Sequence, residues 1–210
     1  MSTQITYQQE LFRKAIHISS LWMVVVMAVF PKTVNILLFG GLLAACIITE
    51  YGNYRCWPLF TSTYGYLFGR MLREKEKQKG AFRLSGAPYV IGAALLSIAF
   101  FPKVIAMTAF TAMLLGDTAA ALIGRKFGHH KFNSGTKSLE GSLSCFWVGY
   151  ATVLFFYFLY SMPFSFAASG FIGVLLATLA EAYENRIHID DNFSIPLIIG
   201  LALSFPMFWW

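Results

Sequence analysis

The sequence predicts an all-α polytopic membrane protein of about seven transmembrane helices with a cytoplasmic N-terminus. Composition comes first: 57% of the 210 residues are apolar and only 26 are charged, 12% against the roughly 25% of a soluble domain. Mean hydropathy is +0.61. The apolar residues also gather into runs bounded by charge, Pro or Gly, and the basic residues collect on one side of those runs. At about 20 residues per span, the length allows one integral membrane domain over residues 1–210 and almost nothing for a separate soluble one.

Taken in order, the candidate helices cover about 15–30, 34–50, 86–101, 104–124, 139–160, 165–183 and 193–209. Three of these are nearer 16 than 20 residues, which implies a thin protein, little tilt or snorkelling flanks. The first run, starting near Ile16, reaches Pro31 and Lys32 without a small-x-small cleavage site, so a retained span is expected rather than a cleaved signal. Between the second and third runs, residues 57–72 are too polar to span. Phe60, Tyr64, Leu67, Phe68 and Met71 make a helical stripe there, suited to an amphipathic helix in the interface plane. The run Arg73-Glu-Lys-Glu-Lys-Gln-Lys79 reads as a solvated face, with a place near a phosphate substrate as the alternative. Terminal aromatics, Trp209 and Trp210 among them, suit an interfacial belt.

The positive-inside rule sets the orientation. Fourteen of the 16 Lys and Arg flank the connections on one side, and only Lys32 and Lys103 lie on the other. All ten acids and all four histidines fall on the basic side or in the membrane half nearest it. Three opposite ends repeat Phe-Pro, at 30–31, 101–102 and 205–206. Chemistry is therefore expected at the cytoplasmic surface. The net charge of +6, which in a soluble protein would suggest nucleic acid, is absorbed by topology, and no nucleic-acid partner is expected. Cys46, Cys56 and Cys145, an odd number in or beside apolar stretches, make no disulfide framework.

Asp117 stands in the fourth run, about 10 Å of helix from the end marked by Gly124 and Arg125. An ionisable group there must pair, face a wet cavity or bind a cation. Ala112, Gly116, Ala120, Gly124 and Gly128 recur every four residues along the same helix. Such a stripe serves close helix packing, with ligand approach to backbone as the alternative. Next comes a loop rich in glycine and positive charge, from Gly124 to Gly141, leading directly into a helix whose N-terminus suits phosphate. Lys137 adds a point charge, and Ser138 can cap the helix or ligate a metal. The string Gly135-Thr-Lys-Ser138 falls short of a Walker A motif, lacking Gly before the Lys and a preceding strand.

The pattern DxxAxxxG, then a gap, then KKTxEG resembles the CTP-binding signature of the dolichol kinase and phytol kinase family of membrane lipid kinases. Asp117, Ala120 and Gly124 fill the first part; after an 11-residue gap come Thr136, Lys137, Ser138, Glu140 and Gly141, with Thr136 in place of the first Lys and Ser138 in place of Thr. Arg13-Lys-Ala-Ile-His17 is similar to the family's early R-K-x-x-H element. Glu74 through Gly86-Ala-Pro-Tyr89 is similar to its acidic-basic loop and following Gly-x-x-Tyr, and Glu181 with Asp191-Asn192-Phe-Ser-Ile-Pro196 to its closing elements.

The resemblance implies transfer of the γ-phosphoryl group of CTP to a lipid alcohol, such as a polyprenol, a phytol-like isoprenoid or diacylglycerol, with Mg²⁺ or another divalent cation as cofactor. Phosphoryl transfer asks for charge neutralisation and alignment. The expected nucleotide loop is 117–141, with Gly124, Arg125, Gly128, Lys137, Ser138, Glu140 and Gly141 as nucleotide-binding residues and Asp117 and Lys137 as catalytic ones. Asp117 would hold the metal or act as base on the lipid hydroxyl. Lys137 and the N–H groups from Ser138 to Gly141 would hold phosphates, Arg125 would be a second clamp, and Glu140 would take a second metal or fix Lys137. Glu181 is a further metal candidate, and His17, Glu50, Asp191 and Asn192 are further site candidates. His129 and His130 read as solvated loop residues. A phosphatidate cytidylyltransferase or a non-enzymatic lipid-binding or transport protein are the rival classes. Residues 139–210 lack the Asp-rich C-terminal signature of the first, and charge gathered at one surface suits a transport path poorly.

Overall fold

The computed structural model describes residues 7–57, 84–132, 137–183 and 190–206. The expected interfacial helix beyond Trp57, the Arg73–Lys79 run, Gly135 and Thr136, Arg186, His188 and the terminal tryptophans lie outside the described residues.

The fold is an all-α polytopic membrane fold. Its helices are α1 (Tyr7–Ser19), α2 (Trp22–Val29), α3 (Lys32–Tyr54), α4 (Gly86–Phe100), α5 (Lys103–Phe127), α6 (Leu139–Leu159), α7 (Phe164–Ala182) and α8 (Asp191–Ser204). Five stretches are long and apolar enough to cross a membrane: Tyr7–Val29, Lys32–Tyr54, Lys103–Phe127, Leu139–Leu159 and Phe164–Ala182. α4 and α8 are apolar but shorter, at 15 and 14 residues.

The first span differs from the expected continuous 15–30 helix. It starts at Tyr7, because the polar residues that hide it from a hydropathy reading, Glu10, Lys14 and His17, turn inward. It is also broken at Ser20 and Leu21, whose N–H groups reach back three residues to the His17 and Ile18 carbonyls at 3.1 and 2.9 Å.

The two Phe-Pro pairs at 30–31 and 101–102 make the same kind of turn. The Phe ends one helix in an extended conformation, and the Pro, at φ near −60°, precedes the next. Proline lacks the N–H that a first helical turn leaves unpaired, so it opens a helix without loss. Pro163 stands before α7 in the same way. Asn35, one turn into α3, donates to the Phe30 carbonyl at 3.0 Å and fastens the first of these turns.

α5 is the axis. It packs on α1, α2, α4, α6 and α8, and α7 joins through α6 and α8. Met107, Phe110, Met113 and Leu114 of α5 meet Phe39, Ile98, Val153, Ile195, Ile199 and Leu203 in one core. The outer surface is also apolar: Leu37, Phe100, Phe158 and Phe164 are exposed. So large an apolar exterior would aggregate in water and is the expected face toward lipid.

A short ribbon stands between α5 and α6. Lys131–Phe132 (β1) and Lys137–Ser138 (β2) pair antiparallel, Lys131 opposite Ser138 and Phe132 opposite Lys137. The glycine- and lysine-rich connection thus begins and ends on a two-rung ribbon that hands directly into α6.

Candidate functional site

α1 carries its polar face inward. Glu10, Lys14 and His17, spaced i, i+4 and i+7, share one buried side, while Leu11 and Phe12 face outward. Inside the protein that face meets Asp117, which the 25-residue length of α5 carries into the same half of the bundle. The Lys14 ammonium donates to Asp117 Oδ2, and His17 Nε2 lies 3.3 Å from the same oxygen. Lys14 is 1% exposed and Asp117 6%, so the pair is cut off from water and each charge depends on the other.

A second group lies one turn earlier on α1. Glu10 accepts from Arg13 Nη2 at 2.5 Å, and its other oxygen is 3.1 Å from Arg125 Nη2 in the last turn of α5. A third joins Lys137 to Glu181 of α7, with Asp191 Oδ2 of α8 at 3.9 Å. These groups are electrostatic neighbours. Arg13 feels both Asp117 and Asp191, and the Cys145 side chain of α6 lies within reach of Asp117, Glu181 and Lys137. Together they make one polar cluster enclosed by α1, α5, β2, α6, α7 and α8.

The cluster holds four firm cations, Arg13, Lys14, Arg125 and Lys137, and four carboxylates, Glu10, Asp117, Glu181 and Asp191. In an apolar surround, balance of this kind is what makes the charges tolerable. Lys14 and Glu10 were absent from the expected site. The signal that would have found them is their spacing with His17, which places three ionisable side chains on one helical face.

The small-residue stripe of α5 is filled by α6. A Cβ on Gly124 would lie 3.1 Å from Ser138 Oγ and 3.4 Å from Gly141 Cα. A Cβ on Gly141 would lie 2.9 Å from the Ala120 carbonyl oxygen, and one on Gly128 would collide with Gly124 and Ser138. Gly116 meets Cys145 in the same way. Packing is thus what the stripe does here, and it brings β2 and the start of α6 down onto the helix that carries Asp117.

Ser138 is the N-cap of α6 and accepts from the Gly141 N–H at 3.2 Å, while the Leu139 N–H donates to the His130 carbonyl at 2.9 Å. These two N–H groups, expected to receive phosphate, are engaged within the chain. Glu140 turns toward the loop: its carboxylate accepts the N–H groups of His129 and His130, each at 3.1 Å, and lies 2.8 Å from His130 Nδ1. It closes the loop onto α6, whereas the expectation had it hold a metal or Lys137. Both histidines are exposed, as read from the sequence, and the His130 ring and the two backbone N–H groups are its partners.

The remaining candidates divide. Asp191 joins the cluster. Asn192 stands beside it at the α8 N-terminus, where its N–H and side-chain amide donate to Asp190 Oδ1 at 3.0 and 2.6 Å. Glu50, at the end of α3, accepts from the N–H and hydroxyl of Ser85, the N-cap of α4. It ties the two ends of the connection between these helices. For a divalent cation, Asp117 and Glu181 offer the hard oxygen ligands that Mg²⁺ takes from protein alongside phosphate oxygens, so the donor chemistry fits. Among the described residues no three His, Cys, Asp or Glu side chains converge as a metal site.

The chain is 29% identical to CTP-dependent diacylglycerol kinase 1 of Saccharomyces cerevisiae, over 70% of this chain and 56% of that protein. It is 32% identical to an uncharacterised protein of Rickettsia prowazekii, over 66% of this chain and 67% of that one. It is also 29% identical to the chloroplastic phytol kinase 1 of Arabidopsis thaliana, over 94% of this chain and 67% of that protein. The chain spans about half the length of the CTP-dependent diacylglycerol kinases of Saccharomyces cerevisiae and Eremothecium gossypii, at 56% and 51%. No family model matches it, and no solved structure matches it. On these relatives, the chain belongs to the family of membrane proteins that includes the CTP-dependent diacylglycerol kinases and the phytol kinases.

Proposed function

We propose that this protein transfers the γ-phosphoryl group of CTP to the hydroxyl of a membrane lipid alcohol at the cytoplasmic face, giving a lipid monophosphate and CDP. The observation that carries the proposal is the balanced charge cluster around Asp117, buried in an apolar helix bundle. Four of its eight charged side chains, Glu10, Lys14, Asp117 and Glu181, are buried, which costs too much to serve packing alone, and phosphoryl transfer is the chemistry that most needs fixed charge of both signs. The relatives' names supply the donor and two acceptor classes, diacylglycerol and phytol.

In this reading Lys137, held on β2 by Glu181 and Asp191, and Arg125, held by Glu10, face the phosphates. Gly124, Gly128, Ser138, Glu140 and Gly141 set the floor on which the nucleotide lies, by fixing α5, the loop and α6 against one another. Asp117 faces the acceptor hydroxyl with His17 beside it, oriented by Lys14, and accepts the proton or aligns the oxygen. Because cations and carboxylates already balance, a triphosphate brings uncompensated negative charge. Mg²⁺ or another divalent cation, held by Asp117 and Glu181 together with phosphate oxygens, would supply the neutralisation. The 14 of 16 basic residues on one side support a cytoplasmic N-terminus and about seven spans, α4 and α8 included.

The test is formation of lipid monophosphate by purified protein with CTP and Mg²⁺ across diacylglycerol, phytol, geranylgeraniol and longer polyprenols, with ATP, GTP and UTP as alternative donors. CTP-dependent product that disappears in Asp117→Asn supports the proposal. Protein that phosphorylates none of these alcohols with CTP refutes it.

A further inference from the structure

Resting on that reading of the site, we infer that Glu10 is a positioning residue, a buried carboxylate that backs an arginine pair made by Arg13 and Arg125 for the nucleotide's phosphate chain. Glu10 is 2% exposed, yet it is bonded on both oxygens: Oε1 to Arg13 at 2.5 Å and Oε2 to Arg125 at 3.1 Å. The two arginine side chains are 31% and 33% exposed. The buried carboxylate therefore joins two arginine side chains that are each about a third exposed.

Two like charges drawn to one spot repel, and the repulsion grows as solvent is excluded. A single carboxylate under both offsets it and leaves a net positive face. A guanidinium presents five N–H donors in a planar fork, so an arginine that spends one Nη on Glu10 keeps donors for an outside anion. The pair also crosses the fold. Arg13 is on α1 and Arg125 on the last turn of α5, so Glu10 fixes α1 to the helix end from which the nucleotide loop departs. Lys137, on β2, lies 3.9 Å from Asp191, whose charge Arg13 also feels. A phosphate chain bound between them would meet cations from three separate elements.

Glu10 touches no substrate in this proposal, so its signature is a split between kinetic constants. In Glu10→Gln the KM for CTP should rise about tenfold, while kcat changes less than about threefold and the KM for the lipid alcohol stays the same. In an Arg125→Gln background the same substitution should cost only about threefold, because one of the two groups it positions is gone. Equal effects in both backgrounds, unchanged nucleotide KM, or a parallel rise in both KM values would overturn the inference. Should Glu10→Gln not assemble, Glu10→Asp carries the test, since it keeps the charge but withdraws it by one methylene. Raised nucleotide KM at constant lipid KM supports the inference, and any other pattern refutes it. Wild-type protein with no CTP-dependent transfer to any lipid alcohol would remove the functional reading itself, and the arginine clamp with it.

Discussion

Lys14 and Asp117 form an ion pair across 103 positions of sequence, joining the buried face of α1 to the helix at the centre of the bundle. Neither charge has water to fall back on. Removing one partner leaves the other stranded, and that typically costs about 3–5 kcal/mol, whereas neutralising both costs far less. Asp117→Asn should therefore lower the thermal midpoint in detergent sharply, and Lys14→Gln combined with Asp117→Asn should recover most of the loss. Phosphoryl transfer should fall by about 10²-fold or more in both variants, since preorganised charge is lost in each. Stability that stays low in the double variant would contradict the pairing.

Lys137 is held by Glu181 and lies 3.9 Å from Asp191. Lys137→Ala should reduce kcat/KM for CTP by about 10²-fold or more through loss of a phosphate-facing charge. Glu181→Gln leaves the lysine its second carboxylate. If Glu181 only orients Lys137, the loss should be nearer tenfold; a loss equal to that of Lys137→Ala would mark Glu181 as a direct ligand. Steady-state kinetics on both variants distinguish the two roles.

Gly141→Ala tests the helix contact. The added methyl would meet the Ala120 carbonyl oxygen at 2.9 Å and Gly124 Cα at 3.2 Å, both backbone atoms that cannot swing aside. Forcing α5 and α6 apart should cost about 1–3 kcal/mol and weaken activity with it, because Lys137 and Ser138 ride on that contact. Gly41→Ala on α3, where a Cβ meets nothing within 4 Å, is the matched control and should leave both properties unchanged. Thermal unfolding of the two variants in one detergent gives the comparison.

Ser85 caps α4 and donates to Glu50. Ser85→Ala should cost about 1 kcal/mol, as expected for a lost N-cap, and leave the kinetic constants for CTP and lipid within about twofold. A large kinetic effect at full stability would place Glu50 among the residues that act on substrate.

Much of this was legible in the sequence, for physical reasons that also explain what was missed. Apolar runs closed by Phe-Pro at 30–31 and 101–102 marked the end of α2 and the bounds of α3 to α5 within a few residues, because proline both ends one helix and begins the next. Asp117 stood out because an acid in an apolar run has few innocent explanations. α1 was hidden because hydropathy averages over a helix, and here the polar residues Glu10, Lys14 and His17 form the inner face. The partners of Lys137 lie 44 and 54 positions away on α7 and α8, and no local pattern encodes such a pairing. The β1–β2 ribbon has two residues per strand, too few for any alternation to be read.

Where the label goes tests the central claim most directly. Purified protein in mixed micelles with Mg²⁺ and a responsive lipid alcohol is given CTP labelled at either the α or the γ phosphorus, and the lipid extract is counted. Lipid-alcohol phosphorylation centred on Asp117 predicts label in the lipid from γ-labelled CTP alone, abolished in Asp117→Asn. Label arriving from the α position, with pyrophosphate released, would contradict it and assign the cluster to nucleotidyl transfer.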